Sequence, residues 1–115
     1  MLAKENRLSK KKEFDNVFQF GHSNYSEILG IKVVKNKLNK NRFGVIVSNK
    51  ISKKAVVRNR LKRQIKAILK EEDKKLKTGF DYVIISLPVI LEANFNQIKK
   101  TIIWQFNKMG LYKKK

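Results

Sequence analysis

The spacing of hydrophobic positions changes several times along the chain, and each change marks an element. In 9–20, Phe14, Val17 and Phe18 fall at i, i+3 and i+4 and Gly21 follows, which predicts a short helix with a left-handed glycine at its end. Ile28, Leu29, Ile31, Val33 and Val34 crowd the stretch 25–34, and 43–47 is a second run rich in β-branched residues; both read as strands. The polar, turn-prone segment 35–41 between them predicts that the two runs pair as an antiparallel hairpin. A helical pattern then fills about 56–74, Thr78 and Gly79 break it, and 80–85 is a continuous apolar run of the kind a buried strand shows. Pro88 closes that strand. Phe95, Ile98, Ile102, Phe106 and Met109 recur at helical spacing, with Asn94 placed as an N-cap and Gly110 just past the end.

The order helix, two or three strands, helix, strand, helix predicts an α+β fold. We expect an α/β sandwich in which a small four-stranded, mostly antiparallel sheet packs with three helices, in the order α-β-β-β-α-β-α. With 115 residues the chain is expected to form a single domain over 1–115, trailed by a basic tail at 113–115.

The helix at 56–74 has two unlike sides. Val57, Leu61, Ile65 and Ile68 share one face, while Asn59, Lys62, Arg63, Lys66 and Lys70 lie opposite and Arg58 and Arg60 flank them. A face that is merely solvated usually mixes charges, yet no acid occurs between Arg58 and Lys70. Cations in the first turn also oppose the helix dipole, at about 0.3 kcal/mol or more each. An anionic partner offsets that cost. Such a face spans several phosphates and releases their counterions, and Asn59 adds a donor and an acceptor for a base or sugar.

Composition points the same way. Lys and Arg number 28 against 9 Asp and Glu, a formal charge of +19 that repels itself unless a polyanion sits against it. The absence of cysteine removes disulfides, thiolate metal sites and thiol nucleophiles. No apolar run reaches the roughly 20 residues of a membrane span, and 1–6 lacks the apolar stretch of a signal peptide, so a cytoplasmic location and no membrane partner are expected. Chemistry is sparse. His22, the one histidine, sits beside Gly21 in an expected turn and reads as a surface residue; Glu71, Glu72 and Asp73 read as a solvated helix end at least as well as a magnesium-attracting cluster. We therefore expect no catalytic residue, and no metal or cofactor bound by the protein alone.

Three stretches, in order, resemble the bacterial ribonuclease P protein family. The run 50–66 contains Arg58-Asn59-Arg60 followed by Leu61-Lys62-Arg63 and resembles that family's basic signature. The segment 7–18, from Arg7-Leu8-Ser9 to Val17-Phe18, is similar to its N-terminal box, and Phe43-Gly44-Val45-Ile46-Val47-Ser48 to the strand before its basic helix. The resemblance covers nearly the whole chain. It implies a left-handed βαβ crossover, where general statistics favour the right-handed form. It also implies that Arg58, Asn59, Arg60, Lys62, Arg63 and Lys66 contact the RNA subunit of ribonuclease P, and that a central cleft holds the single-stranded 5′ leader of precursor tRNA. Phe14 and Phe18 match the aromatic positions of that cleft, although an i, i+4 Phe pair also suits simple core packing.

In the same family the RNA subunit holds the catalytic Mg2+ ions of the holoenzyme. The protein then aids endonucleolytic removal of the leader, a hydrolysis that matures the tRNA 5′ end, and is inactive alone. Departures from the pattern are Lys32 where the family often has an aromatic in the cleft strand, Ser52, Lys53 and Lys54 where many members have a glycine, and Ser86-Leu87-Pro88 where Arg tends to precede the Pro. An alternative is a non-enzymatic basic RNA-binding protein such as a ribosomal protein, which composition alone does not separate. A DNA-binding regulator would need a turn joining two recognition-sized helices, and the residues before Val56 read as strand and loop, so no DNA partner is expected.

Overall fold

The computed structural model describes residues 2–114. Helix α1 spans Lys11–Phe20 and begins where the Glu13 carboxylate accepts the main-chain N–H groups of Ser9 and Lys10, each at 3.0 Å. This satisfies donors that a helix start otherwise leaves orphaned. Gly21 ends the helix in extended backbone, with φ −76°, and not in the expected left-handed conformation. Its reason for being glycine is proximity: a Cβ there would lie 2.5 Å from the Val17 carbonyl oxygen and 3.1 Å from that of Val33.

Strand β1 (His22–Tyr25) and strand β2 (Leu29–Lys35) form an antiparallel hairpin. Its turn is held by the Ser26 hydroxyl, which accepts from the amides of Ile28 and Leu29. After a loop come strand β3 (Arg42–Ile46), helix α2 (Ala55–Asp73), strand β4 (Phe80–Ser86) and helix α3 (Phe95–Lys108), with short 3-10 turns at Lys4–Asn6 and Pro88–Glu92. The sheet order is β1-β2-β4-β3, antiparallel across the first two boundaries and parallel across the last.

This order corrects one expectation. The runs 25–34 and 43–47 do not pair as a hairpin, because β4 lies between them. β4 is buried along most of its length, and a strand apolar on both sides is most stable at the centre of a sheet. The segment 36–41 is accordingly a loop and not a tight turn, tied down by Asn36, whose main-chain N–H donates to the Gly79 carbonyl at 2.8 Å. β3 and β4 become parallel neighbours joined through α2, which is the βαβ crossover.

Side chains alternate across the sheet and build two unequal layers. On one face Leu29, Ile31, Val33, Phe43, Tyr82 and Ile84 pack under α2 and α3, against Leu61, Ile65, Ile68, Leu69, Ile98, Ile102 and Phe106. Tyr82 stacks on Phe43 with centroids 4.7 Å apart and meets the Phe106 edge at 5.5 Å. Complete burial of each such side chain stabilises the fold by about 1.5–3 kcal/mol. On the other face α1 covers a small cluster of Leu8, Val17 and Val83, ringed by half-buried Phe14, Val34, Ile46 and Ile85.

The predicted end signals of α3 hold. The Asn94 side chain accepts from the Gln97 amide at 2.9 Å, the Gln97 side chain accepts from the Asn94 amide at 2.8 Å, and Gly110 is left-handed at φ +70°. Of the expected basic tail, Lys113 is tied to the fold, its amide donating to the Lys75 carbonyl at 2.9 Å and its ammonium to that of Lys74 at 3.0 Å; Lys115 lies outside the described residues. No helix among the described residues is long and apolar enough to cross a membrane.

Candidate nucleic-acid interface

Helix α2 starts without an acid in its first turn and without a side-chain cap. Its N-terminus is braced instead by Arg58, whose guanidinium donates to the Ser52 carbonyl at 2.9 Å and holds the incoming loop against the helix. Asn59, Lys62, Arg63, Lys66 and Ala67 follow at i, i+3, i+4, i+7 and i+8 and form one wall of a groove of about 520 Å³. Leu2 and Arg7 form the other wall. Arg7 is placed there because the chain runs beside β3, with a bridge between Arg7 and Phe43 and the Leu8 amide donating to the Phe43 carbonyl at 2.9 Å.

The six residues expected on this helix therefore divide. Asn59, Lys62, Arg63 and Lys66 converge on the groove, Arg58 braces the loop, and Arg60 is exposed away from the groove walls. Arg7 joins them from the N-terminal segment, a partner that helical periodicity has no means of finding. No carboxylate lines the groove, and among the described residues none forms an ion pair with these cations.

The residues expected in a cleft lie on the face that α1 only partly covers. The Phe14 ring rests over Gly44, where an added Cβ would come within 2.4 Å of it. Phe14 is half-buried in the smaller cluster, whereas Phe18, one turn on, is 43% exposed. Lys32 rises from β2 on the same face, its ammonium donating to the Ser23 hydroxyl at 2.9 Å and lying 5.9 Å from the centroid of the Tyr25 ring. Tyr25 lies flat on Gly30, its partner in register, and is 52% exposed. Periodicity along the chain does not reveal this second open aromatic, since finding it requires the β1–β2 register that puts Tyr25 opposite a glycine.

Five of the nine acids are engaged within the fold. Arg42 of β3 donates to Asp81 Oδ1 at 2.9 Å, to Asp81 Oδ2 at 2.7 Å and to Glu13 of α1 at 2.6 Å, clasping the helix to the sheet. The amides of Lys10 and Ser9, with Arg42, hold the Glu13 carboxyl below its ordinary range, and hydrogen bonding to Asp81 raises that of Arg42. Glu71 pairs with Lys99 at 3.0 Å, buried Glu72 accepts from the Tyr112 hydroxyl at 2.8 Å, and Asp73 accepts from the Asn41 amide at 3.0 Å. Burial, with the bond to Glu72, pushes the Tyr112 hydroxyl upward. The three neighbouring acids thus face three different partners, and no group of three His, Cys, Asp or Glu suited to a metal ion forms among the described residues. His22 is exposed on β1.

The family model described as Ribonuclease P matches residues 2–110. The chain belongs to the ribonuclease P protein family. It is 38% identical over 111 residues to the ribonuclease P protein component of Synechocystis sp., covering 96% of this chain and 90% of that protein. It is 39% identical over 110 residues to that of Clostridium botulinum, covering 95% and 98%. Among solved structures, the ribonuclease P protein of Thermotoga maritima superposes with a TM-score of 0.81 at 26% identity, covering 89% of this chain and 96% of that one. A mutant ribonuclease P protein of Staphylococcus aureus reaches 0.88 at 24%, covering 95% and 92%. The likeness of fold includes the mixed sheet and the β3-α2-β4 crossover, so the hand of the crossover is the family's. As a ribonuclease P protein component, the chain is a subunit of a tRNA-processing endoribonuclease, with RNA as its partner and tRNA as the substrate class.

Proposed function

We propose that the groove along α2 binds the RNA subunit of ribonuclease P, that the sheet face beside α1 binds the single-stranded 5′ leader of precursor tRNA, and that the RNA subunit supplies the catalytic centre. The observation that carries this reading is the convergence of Arg7, Asn59, Lys62, Arg63 and Lys66 on one groove without a carboxylate. Phosphates entering it displace counterions, which makes binding strong and salt-dependent, while Asn59 meets a sugar or base edge.

On the sheet face the open side of Phe18 and the flat ring of Tyr25 suit unpaired bases, which stack with little sequence preference, and Lys32 supplies a charge for the phosphate between them. The Mg2+ of the holoenzyme belongs with the RNA on this reading, because Glu71, Glu72, Asp73 and Asp81 each serve another partner and do not fit a metal site. The protein's share is to bind, align and screen the two RNAs.

Reconstitution with a bacterial ribonuclease P RNA tests this. The parent protein is expected to lower the magnesium needed for precursor cleavage, at salt where an unrelated protein of equal charge fails. Changing Lys62, Arg63 and Lys66 together to Ala is expected to weaken RNA-subunit binding and to lower the slope of log affinity against log salt by about 0.9 for each phosphate no longer neutralised. An unchanged slope would move the RNA subunit off α2, and cleavage at the correct junction by RNA-free protein would return the catalytic centre to the protein.

A further inference from the structure

An open cavity of about 690 Å³ lies at the opposite edge of the sheet from the α2 groove. Five elements meet there: Phe20 ends α1, His22 begins β1, Lys35 ends β2, Lys77 sits in the loop before β4, and Lys108 ends α3. Like the α2 groove, its walls carry cations and no carboxylate. One aromatic ring stands open among the lysines: Phe20 is 64% exposed. Trp104, one turn before Lys108, lines a neighbouring hollow with Glu27 and Lys100 and adjoins the basin only through the Lys108 ammonium, 5.7 Å from its centroid. The Lys77 ammonium is held by the Gly110 carbonyl at 2.8 Å, which leaves its other protons for a ligand.

We propose that this basin is a second RNA-binding site, which takes a single-stranded segment with its phosphates on Lys35, Lys77 and Lys108 and a base against Phe20. Cations at the end of α3 also complement the helix dipole, and that explains Lys77 and Lys108 in part. It explains neither Lys35, which belongs to β2, nor the open ring of Phe20. Lysines interleaved with aromatic faces are the combination that recognises unpaired nucleotides, since only an unstacked base offers its face. Strands β1 and β3 are the two outer strands, three strand spacings or about 14 Å apart, so a segment in this basin is distinct from the phosphates in the α2 groove. The protein thereby grips RNA at both edges of its sheet.

Trp104 is the chain's one tryptophan and lies beside Lys108 at the basin's rim, so its fluorescence reports a ligand bound at that lysine. Titrating the full chain with an oligouridine of about eight nucleotides, within the usual site size for single-strand binders, is expected to quench that emission saturably. Changing Lys35 to Ala together with Lys108 to Gln, both on the exposed surface, is expected to weaken the quenching midpoint about 10-fold and lower its salt slope by about 1.4, or 0.7 per phosphate for a single strand. Phe20→Ala is expected to weaken the midpoint without changing the slope. The Lys62, Arg63, Lys66 triple variant is expected to weaken the quenching midpoint less than the basin variant does, which separates this site from the α2 groove. The proposal fails if Trp104 emission ignores the RNA, or if the basin variant retains the parent midpoint and slope. Uridine monophosphate binding as tightly as the oligomer would make the basin a mononucleotide pocket and overturn the strand reading. A parent dimer, seen by sedimentation and abolished in the basin variant, would overturn it in favour of self-association.

Discussion

The two faces of the sheet are made of similar residues and finished differently. Under α2 and α3 the layer is closed: Tyr82, Phe43 and Phe106 interlock and are at most 2% exposed. Under α1 the layer is left open, with Phe14 half-buried, Phe18 and Tyr25 exposed, and Lys32 standing among them. One short helix covers part of that face, anchored by Val17 and Phe14 and by the charged clasp of Glu13, Arg42 and Asp81. The chain thus places its stability on one side of the sheet and keeps aromatic surface in reserve on the other, where apolar burial would have consumed it.

Truncation on the closed face has the largest expected effect. Phe106→Ala removes a ring that contacts both Tyr82 and Tyr112, and is expected to destabilise the protein by about 3–5 kcal/mol in denaturant titrations while leaving RNA affinity of the folded fraction intact. The open face is expected to answer in the opposite sense. Phe18→Ala leaves stability within about 0.5 kcal/mol, as surface substitutions do, and weakens precursor tRNA binding by about 1–3 kcal/mol without affecting mature tRNA. Phe14→Ala, resting on Gly44, is expected to lower both stability and leader affinity. A Phe18 variant that was destabilised and had no leader-specific effect would erase the contrast between the faces.

The clasp has the smallest expected effect, and it shows as a pH dependence. Because the Glu13 carboxyl titrates below its ordinary value of 4.5 in the folded chain, its contribution is fully present above that value and is lost as the pH falls through the lowered folded value. Thermal midpoints are expected to fall on acidification below about 4.5, and Glu13→Gln is expected to flatten that part of the profile. Loss of stability on the alkaline side from this residue would contradict the assignment.

Much of this is legible in the sequence wherever a pattern is long and local. The stripe Leu61, Ile65 and Ile68 places α2 within a residue of its ends, and the apolar run at 80–85 declares β4 buried. Strand order is not legible, because whether 43–47 pairs with 25–34 or waits for β4 depends on burial across the whole sheet. The same non-locality hides Arg7 beside α2, Tyr25 over Gly30, and the clasp that joins residues far apart in the chain. Gly21 has the sequence context of a turn residue, whereas its role is to admit two carbonyl oxygens, a distinction visible only in three dimensions.

The central place of β4 also bears on how the molecule is made. A growing chain emerges with α1, the β1–β2 hairpin, β3 and α2 before the strand that unites them exists, and the edges of β2 and β3 that β4 will occupy stay open until Ser86 has been synthesised. Pairing across such a separation in sequence is slow, and open strand edges invite association between neighbouring chains. Completion of the sheet is thereby deferred until β4 follows the elements it joins, and α3, next in the chain, then seals the apolar face.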